Sequence, residues 1–254
     1  MSYAVCCVPV ASIRKEPAHT AEMTSQLLFG ECATISAMQD GWAKITCKAD
    51  GYAGWCLIQH VQITDAVVFN DDPIITSDWM NELDFNGQMM IVPFGSSLPV
   101  MQNRKMQWQQ NTTLFEGEVW KPAKAKRDAA TITQIAYTFI NTAYLWGGRS
   151  VFGIDCSGFT QLVYKFLHYS LLRDAQHQAT QGELVNFLQE ARCGDLAFFD
   201  DAEGNIIHTG ILLNEHELIH ASGVVRIDKI DNQGIINATT GERGQKLRII
   251  KRYF

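Results

Sequence analysis

The hydrophobic spacing changes near residue 123, and that change limits the fold more than any other feature of the sequence. Before it, apolar and polar residues alternate in short runs. Ala33-Thr34-Ile35-Ser36-Ala37 and Trp42-Ala43-Lys44-Ile45-Thr46-Cys47 flank Asp40-Gly41. A period of two on either side of a turn dipeptide predicts a hairpin. Asp50-Gly51-Tyr52-Ala53-Gly54-Trp55-Cys56 adds a second turn and another short strand. Strands this short and this close predict a small barrel over residues 1–64. Residues 65–123 repeat the style, with strands expected at 89–93, 98–100 and 117–121, and no clear period over 69–87.

Beyond the change, Ile132, Ile135, Ala136, Phe139, Ile140 and Ala143 recur at helical spacing, as do Phe159, Leu162, Val163, Phe166 and Leu167. Leu184, Phe187 and Leu188 predict a shorter third helix. From Asp195 onward strands are expected at 196–199, 206–213, 218–221, 224–227 and 247–253. Helices first and strands later predict an α+β domain over 124–254, not a doubly wound sheet.

Several function classes lose support on bulk properties. The 254-residue chain carries a net charge of −6, which favours neither nucleic acid nor an anionic membrane as partner. Lys121, Lys124, Lys126 and Arg127 read as a solvated linker. No run approaches the ~18 apolar residues of a membrane span. The start, Met1-Ser2-Tyr3-Ala4-Val5-Cys6-Cys7-Val8, lacks a basic region and its apolar run is broken at Pro9. No signal peptide is therefore expected, and the cytoplasm is the expected compartment. The seven cysteines are odd in number and form no CxxC pair. That disfavours a disulfide framework and a zinc site, and no cofactor or metal is expected. Most of the cysteines sit among apolar residues and read as small core side chains.

Cys156 differs. It follows Asp155, a capping residue, and begins a helix running to about His168. A thiol on a first turn feels the positive end of the helix, which is expected to lower its pKa. Gly153 and Gly158 permit a tight entry and close approach of a substrate backbone. The bland alternative is a buried cysteine at a helix start. His208 lies in the apolar run Ile206-Ile207-His208-Thr209-Gly210-Ile211, and His220 in Leu218-Ile219-His220-Ala221. A turn centred near Glu215 makes these two strands a hairpin, with the histidines about one diagonal pair apart. At that separation one ring can orient the other. A lone histidine on an apolar strand reads as a core residue, but two on adjacent strands with a cysteine upstream read as a catalytic set. Zinc held by the same three residues is disfavoured, because no second close ligand pair accompanies them. His19, His60, His168, His177 and His216 read as surface or loop residues.

Five ordered blocks carry a resemblance. Tyr144-Leu145-Trp146-Gly147-Gly148, Gly153-Ile154-Asp155-Cys156-Ser157-Gly158-Phe159, Cys193-Gly194-Asp195-Leu196-Ala197-Phe198-Phe199, Ile207-His208-Thr209-Gly210-Ile211 and Ile219-His220-Ala221-Ser222-Gly223 resemble the NlpC/P60 cysteine peptidases. The first half resembles bacterial SH3-like domains through Asp50-Gly51-Tyr52-Ala53-Gly54-Trp55. The resemblance implies an α+β papain-like NlpC/P60 catalytic domain preceded by small all-β SH3-like barrels. It implies Cys156 as nucleophile, His208 as base, His220 as the residue that orients the base, and Tyr144 with the Cys156 N–H at the oxyanion position. Two departures stand out: Cys193 replaces a frequent proline, and Arg173-Asp174-Ala175 replaces Arg-Asp-Ser.

Two SH3-like domains before this core look like the YkfC-type γ-D-glutamyl-L-diamino acid endopeptidases. That likeness implies a murein tripeptide or tetrapeptide substrate with a free N-terminal L-alanine, with lysine or diaminopimelate as the diamino acid. Asp155 is the expected reader of the free amine. Ser157, Trp146, Tyr52, Glu31, Arg173 and Asp174 are the further substrate-binding candidates, Tyr52 and Glu31 coming from the first SH3-like domain. Two other functions fit the same blocks: an exported endopeptidase that remodels polymeric peptidoglycan, and a non-catalytic module that binds wall peptides.

Overall fold

A computed structural model describes residues 2–254, which divide into two compact units. The first runs through Lys124 and takes in Trp146–Val151; the second is Ala125–Leu145 with Phe152–Phe254. Among the described residues, no helix is long and apolar enough to cross a membrane.

The first unit begins with β1 (Ser2–Cys6), β2 (Val10–Arg14), β3 (Met23–Leu28), β4 (Cys32–Gln39), β5 (Trp42–Cys47), β6 (Ala53–Leu57) and β7 (Val61–Thr64). They form one antiparallel sheet in the order β3-β2-β6-β5-β4-β1-β7. The β4–β5 turn places Asp40 and Gly41 at φ 47° and 81°, both left-handed, as a two-residue hairpin turn requires. Alternate side chains turn inward, so Ala11, Ile13, Ile35, Ala43, Ile45 and Val61 build the core together with Cys6, Cys47 and Cys56. These three thiols act as small apolar side chains. Burial pushes all of them up, Cys56 to about 12.

The helix α1 (Ala66–Asn70), capped by Asp65, leads into β8 (Ile74–Thr76), β9 (Met80–Phe85), β10 (Gln88–Pro93), β11 (Ser97–Leu98), β12 (Lys105–Trp108), β13 (Asn111–Phe115) and β14 (Val119–Trp120). They form two small sheets, β10-β9-β13-β12 and β11-β8-β14. Val5 of β1 and Phe29 in the turn after β3 enter their core beside Leu83, Val92, Trp108 and Phe115. At the junction the Ser97 N–H donates to the Phe29 carbonyl at 2.8 Å. Gly30 (φ 74°) sits so close that an added Cβ would lie 2.0 Å from the Ser97 oxygen. The two all-β stretches therefore share a core. Strand β15 (Arg149–Ser150) completes this unit.

The second unit contains α2 (Ala129–Tyr137), β16 (Gly153–Ile154), α3 (Cys156–Phe166), α4 (Ala175–Gln178), β17 (Glu183–Val185), β18 (Leu196–Asp200), β19 (Ile206–Leu212), β20 (Glu217–Ser222), β21 (Val224–Asp231), β22 (Gly234–Ile236) and β23 (Lys246–Arg252). Its sheet runs β17-β23-β18-β19-β20-β21-β22. Helix α3 packs on β19 and β20. Every residue from Cys156 to Phe166 except Lys165 is buried, the pattern of a central helix. The third helix expected around 184–188 does not form. Val185 and Leu188 are buried, while Leu184 and Phe187 face solvent. The segment pairs with β23 as β17 and then makes a single 3₁₀ turn, Leu188–Glu190.

Candidate active site

Asp155 starts α3. Its backbone is extended (φ −92°, ψ 175°) and its Oδ1 accepts the Gly158 N–H at 2.7 Å. Cys156 therefore occupies the first helical position, where a backbone N–H has no intrahelical acceptor. Its sulfur accepts hydrogen bonds from the N–H groups of Thr209 and Ser157. The Thr209 contact sets the thiol against β19 beside His208.

The hairpin β19–β20 pairs Ile211 with Ile219 and Leu212 with Leu218. Continuing that register puts Gly210 opposite His220 and leaves His208 and His220 on one diagonal. Their rings meet at 2.7 Å, His208 Nε2 to His220 Nδ1. Gly210 makes the approach possible, since a Cβ there would lie 2.8 Å from the His220 Cβ. Beyond His220 the chain of contacts continues: His220 Nε2 lies 3.0 Å from Asp228 Oδ2. Arg226 Nε donates to the same oxygen at 2.9 Å, and the Ala238 N–H donates to Oδ1 at 2.9 Å. Asp228 and Arg226 are additions that the sequence reading lacks.

The electrostatics correct one expectation. The helix start does not lower the Cys156 pKa. Burial, followed by the Asp155 carboxylate, pushes the thiol up to about 12 against the opposing pull of the Thr209 N–H and Arg173. Burial lowers His208 to about 3, and His220 and Arg226 add to the effect. At neutral pH the resting pair is thus a thiol and a neutral imidazole. Such a thiol needs a base to attack, and a neutral imidazole can serve as one. Tyr144 is half-buried; its N–H donates to the Gly223 carbonyl at 2.8 Å. Burial, then Cys156 and Asp155, raise its phenol above the ordinary value, so it stays protonated as a hydrogen-bond donor.

The other expected residues divide between the units. In the second unit, Asp155 is clasped by Arg173, whose Nη2 lies 2.5 Å from Oδ2 and Nη1 3.1 Å from Oδ1. The same Nη1 donates to Ser157 Oγ at 2.8 Å. Arg173 was expected to line a pocket. It is only 2% exposed and anchors the helix start instead. Gln178 braces this corner by donating to the Ser157 and Leu172 carbonyls. Asp174 is half-buried, with His177 Nδ1 at 3.5 Å. Glu31, Tyr52 and Trp146 belong to the first unit. Glu31 is buried, and its carboxylate takes the Leu28 N–H and the Arg149 guanidinium (3.0 and 3.3 Å). Tyr52 packs on the barrel core. Trp146 is exposed and donates to Glu22 Oε1 at 2.8 Å. Among the described residues, no cluster of three or more histidine, cysteine or acidic side chains has the arrangement of a metal site.

Known proteins agree with this architecture. The family model described as "NlpC/P60 family" matches residues 141–244, and "Bacterial dipeptidyl-peptidase Sh3 domain" matches 13–61. The γ-D-glutamyl-L-lysine dipeptidyl-peptidase of Bacillus subtilis is 30% identical over 212 residues, covering 78% of this chain and 71% of its own length. The chain belongs to the NlpC/P60 family. The Bacillus cereus protein named γ-D-glutamyl-L-lysine dipeptidyl-peptidase is 24% identical over 256 residues, covering 87% of this chain and 75% of its own. A solved NlpC/P60 family structure from Bacillus cereus has a TM-score of 0.83 at 20% identity and covers 99% of each chain. At that identity the likeness concerns the fold. This NlpC/P60 chain thus joins an all-β SH3-like region to a papain-like domain, and both Bacillus relatives are named as peptidases.

Proposed function

We propose that the chain is a cysteine peptidase that hydrolyses the γ-D-glutamyl-L-diamino acid bond of murein peptides with a free N-terminal L-alanine. The contact of His208 Nε2 with His220 Nδ1, beside a thiol held at the start of α3, carries the reading. It supplies a nucleophile, a neutral base and a residue that fixes the base. The γ-D-glutamyl-L-lysine bond follows the names of the two Bacillus relatives, and the free L-alanine and the wider choice of diamino acid follow the resemblance of the sequence blocks.

His208 takes the Cys156 proton as the sulfur attacks the γ-carbonyl carbon of D-glutamate. The oxyanion that forms is met by the Cys156 N–H and the Tyr144 hydroxyl. His208 returns the proton to the departing diamino acid nitrogen, leaving a thioester. Water, deprotonated by His208, releases the γ-carboxylate and restores the thiol. Asp155 reads the substrate amine across the charge it shares with Arg173, and Ser157 and Asp174 stand close to it in sequence. On this reading the enzyme serves cell-wall peptide recycling and acts in the cytoplasm.

Mass spectrometry of products from L-Ala-γ-D-Glu-L-Lys and its diaminopimelate and N-acetylated counterparts, beside intact sacculi, tests this. Release of the free diamino acid from the unblocked peptides is expected. Equal cleavage of the N-acetylated peptide would remove the recycling assignment, and rapid release from sacculi would favour wall remodelling.

A further inference from the structure

We propose that Asp228, backed by Arg226, fixes which ring nitrogens of His220 and His208 carry protons, and so makes His208 Nδ1 the base. This rests on Cys156 and His208 acting as nucleophile and base. Asp228 is a positioning residue two hydrogen bonds removed from His208 Nδ1.

Three donors surround Asp228, which is 2% exposed. Arg226 Nε and His220 Nε2 address Oδ2, and the Ala238 N–H addresses Oδ1. Burial works to raise its pKa, but the His220 and Ala238 hydrogen bonds and the Arg226 charge hold the carboxyl down at about 2. An ionised carboxylate only accepts hydrogen bonds. The 3.0 Å contact therefore requires the proton of His220 on Nε2. A neutral imidazole has one N–H, so His220 Nδ1 is left as an acceptor. The nitrogen facing it at 2.7 Å, His208 Nε2, must then donate. That leaves the lone pair of His208 on Nδ1, the nitrogen on the ring edge away from His220. Reversing the tautomers would set two protons or two lone pairs against each other at one of the contacts. Orientation through a second polar partner is a known way to tune a working imidazole.

An asparagine cannot replace Asp228 without conflict. Its NH₂ group would face either the Ala238 N–H or the Arg226 and His220 donors. Asp228→Asn and Asp228→Ala are both expected to lower kcat about 10- to 100-fold with KM little changed. Ring ¹⁵N spectra should show His208 protonated on Nε2 in the parent protein, and a mixture or reversal in the variants. Arg226→Gln, altering a half-buried side chain, should lower kcat less than Asp228→Ala. An unchanged His208 tautomer in Asp228→Asn, or a kcat loss that merely tracks the folded fraction measured by circular dichroism, would overturn the proposal. Wild-type kcat in Asp228→Asn with an inactive Cys156→Ala sinks only this inference. A fully active Cys156→Ala sinks the reading beneath it.

Discussion

Cys56 in the first barrel and Cys156 at the start of α3 are both buried, and burial pushes both thiols up to about 12. Their surroundings divide them. Cys56 sits among Ile13, Ala43 and other apolar side chains of a core cluster. Cys156 receives the Thr209 N–H and stands beside the His208–His220 pair. In the proposed mechanism the two thiols therefore differ by a neighbouring base and not by a lowered thiol pKa. The same division separates two buried ion pairs. Arg149–Glu31 ties together segments of the first unit, whereas Arg173–Asp155 holds the residue that caps the helix bearing Cys156.

The largest effect that could break this contrast is on turnover. Cys156→Ala and His208→Ala should each reduce kcat by about 10⁴-fold or more, while Cys56→Ala leaves it intact. Steady-state assays on L-Ala-γ-D-Glu-L-Lys check it, and an inactive but folded Cys56→Ala would erase the distinction. Next come the ion pairs. Arg173→Met and Arg149→Met each strand a buried carboxylate and should lose about 3–5 kcal/mol in urea unfolding. Refolded Arg173→Met should also have lost kcat, since Asp155 and Ser157 are released with it.

A smaller effect comes from acid. His208 stays neutral in the folded chain down to about pH 3, while in the unfolded chain it takes up its proton near the ordinary 6.5. The unfolded state binds more protons between those values. The stability from a neutral His208 is complete above pH 6.5, declines as the pH falls toward 3, and is gone below. A few kcal/mol is the expected size. Unfolding midpoints against pH should slope less in His208→Gln than in the parent, and equal slopes would remove His208 as the cause. Last are two glycines. Gly30→Ala and Gly210→Ala should each cost about 1–3 kcal/mol through steric crowding. Only Gly210→Ala should disproportionately reduce kcat, because the collision there is with His220.

What the sequence made legible was local. Turn dipeptides and a period of two reveal the barrel hairpins and the β19–β20 register that joins His208 to His220. A capping aspartate before an apolar helical face reveals where α3 begins. Asp228 and Arg226 escaped because their partnership with His220 depends on how β21 pairs with β20, and Asp228 lies beyond the strand expected at 224–227 in a stretch where charged and apolar residues alternate. Strands β12 and β13 alternate inward Met106, Trp108, Thr113 and Phe115 with outward Lys105, Gln107, Thr112 and Leu114, a signal diluted by the inward threonine and the outward leucine. Leu184 and Phe187 misled because exposed apolar residues mimicked a helix face. The direction of the Cys156 pKa depends on burial summed over distant segments, which no local pattern records.

The placement of Trp146–Val151 with the first unit has an evolutionary consequence. A recombination that exchanged the barrels at the linker would leave these six residues behind, with Arg149 stripped of Glu31 and Gln26. Barrels and strap are inherited together only if a crossover spares both. Homologous shuffling of such chains should therefore retain parental combinations of positions 26, 31 and 149, even where the intervening linker has been exchanged freely.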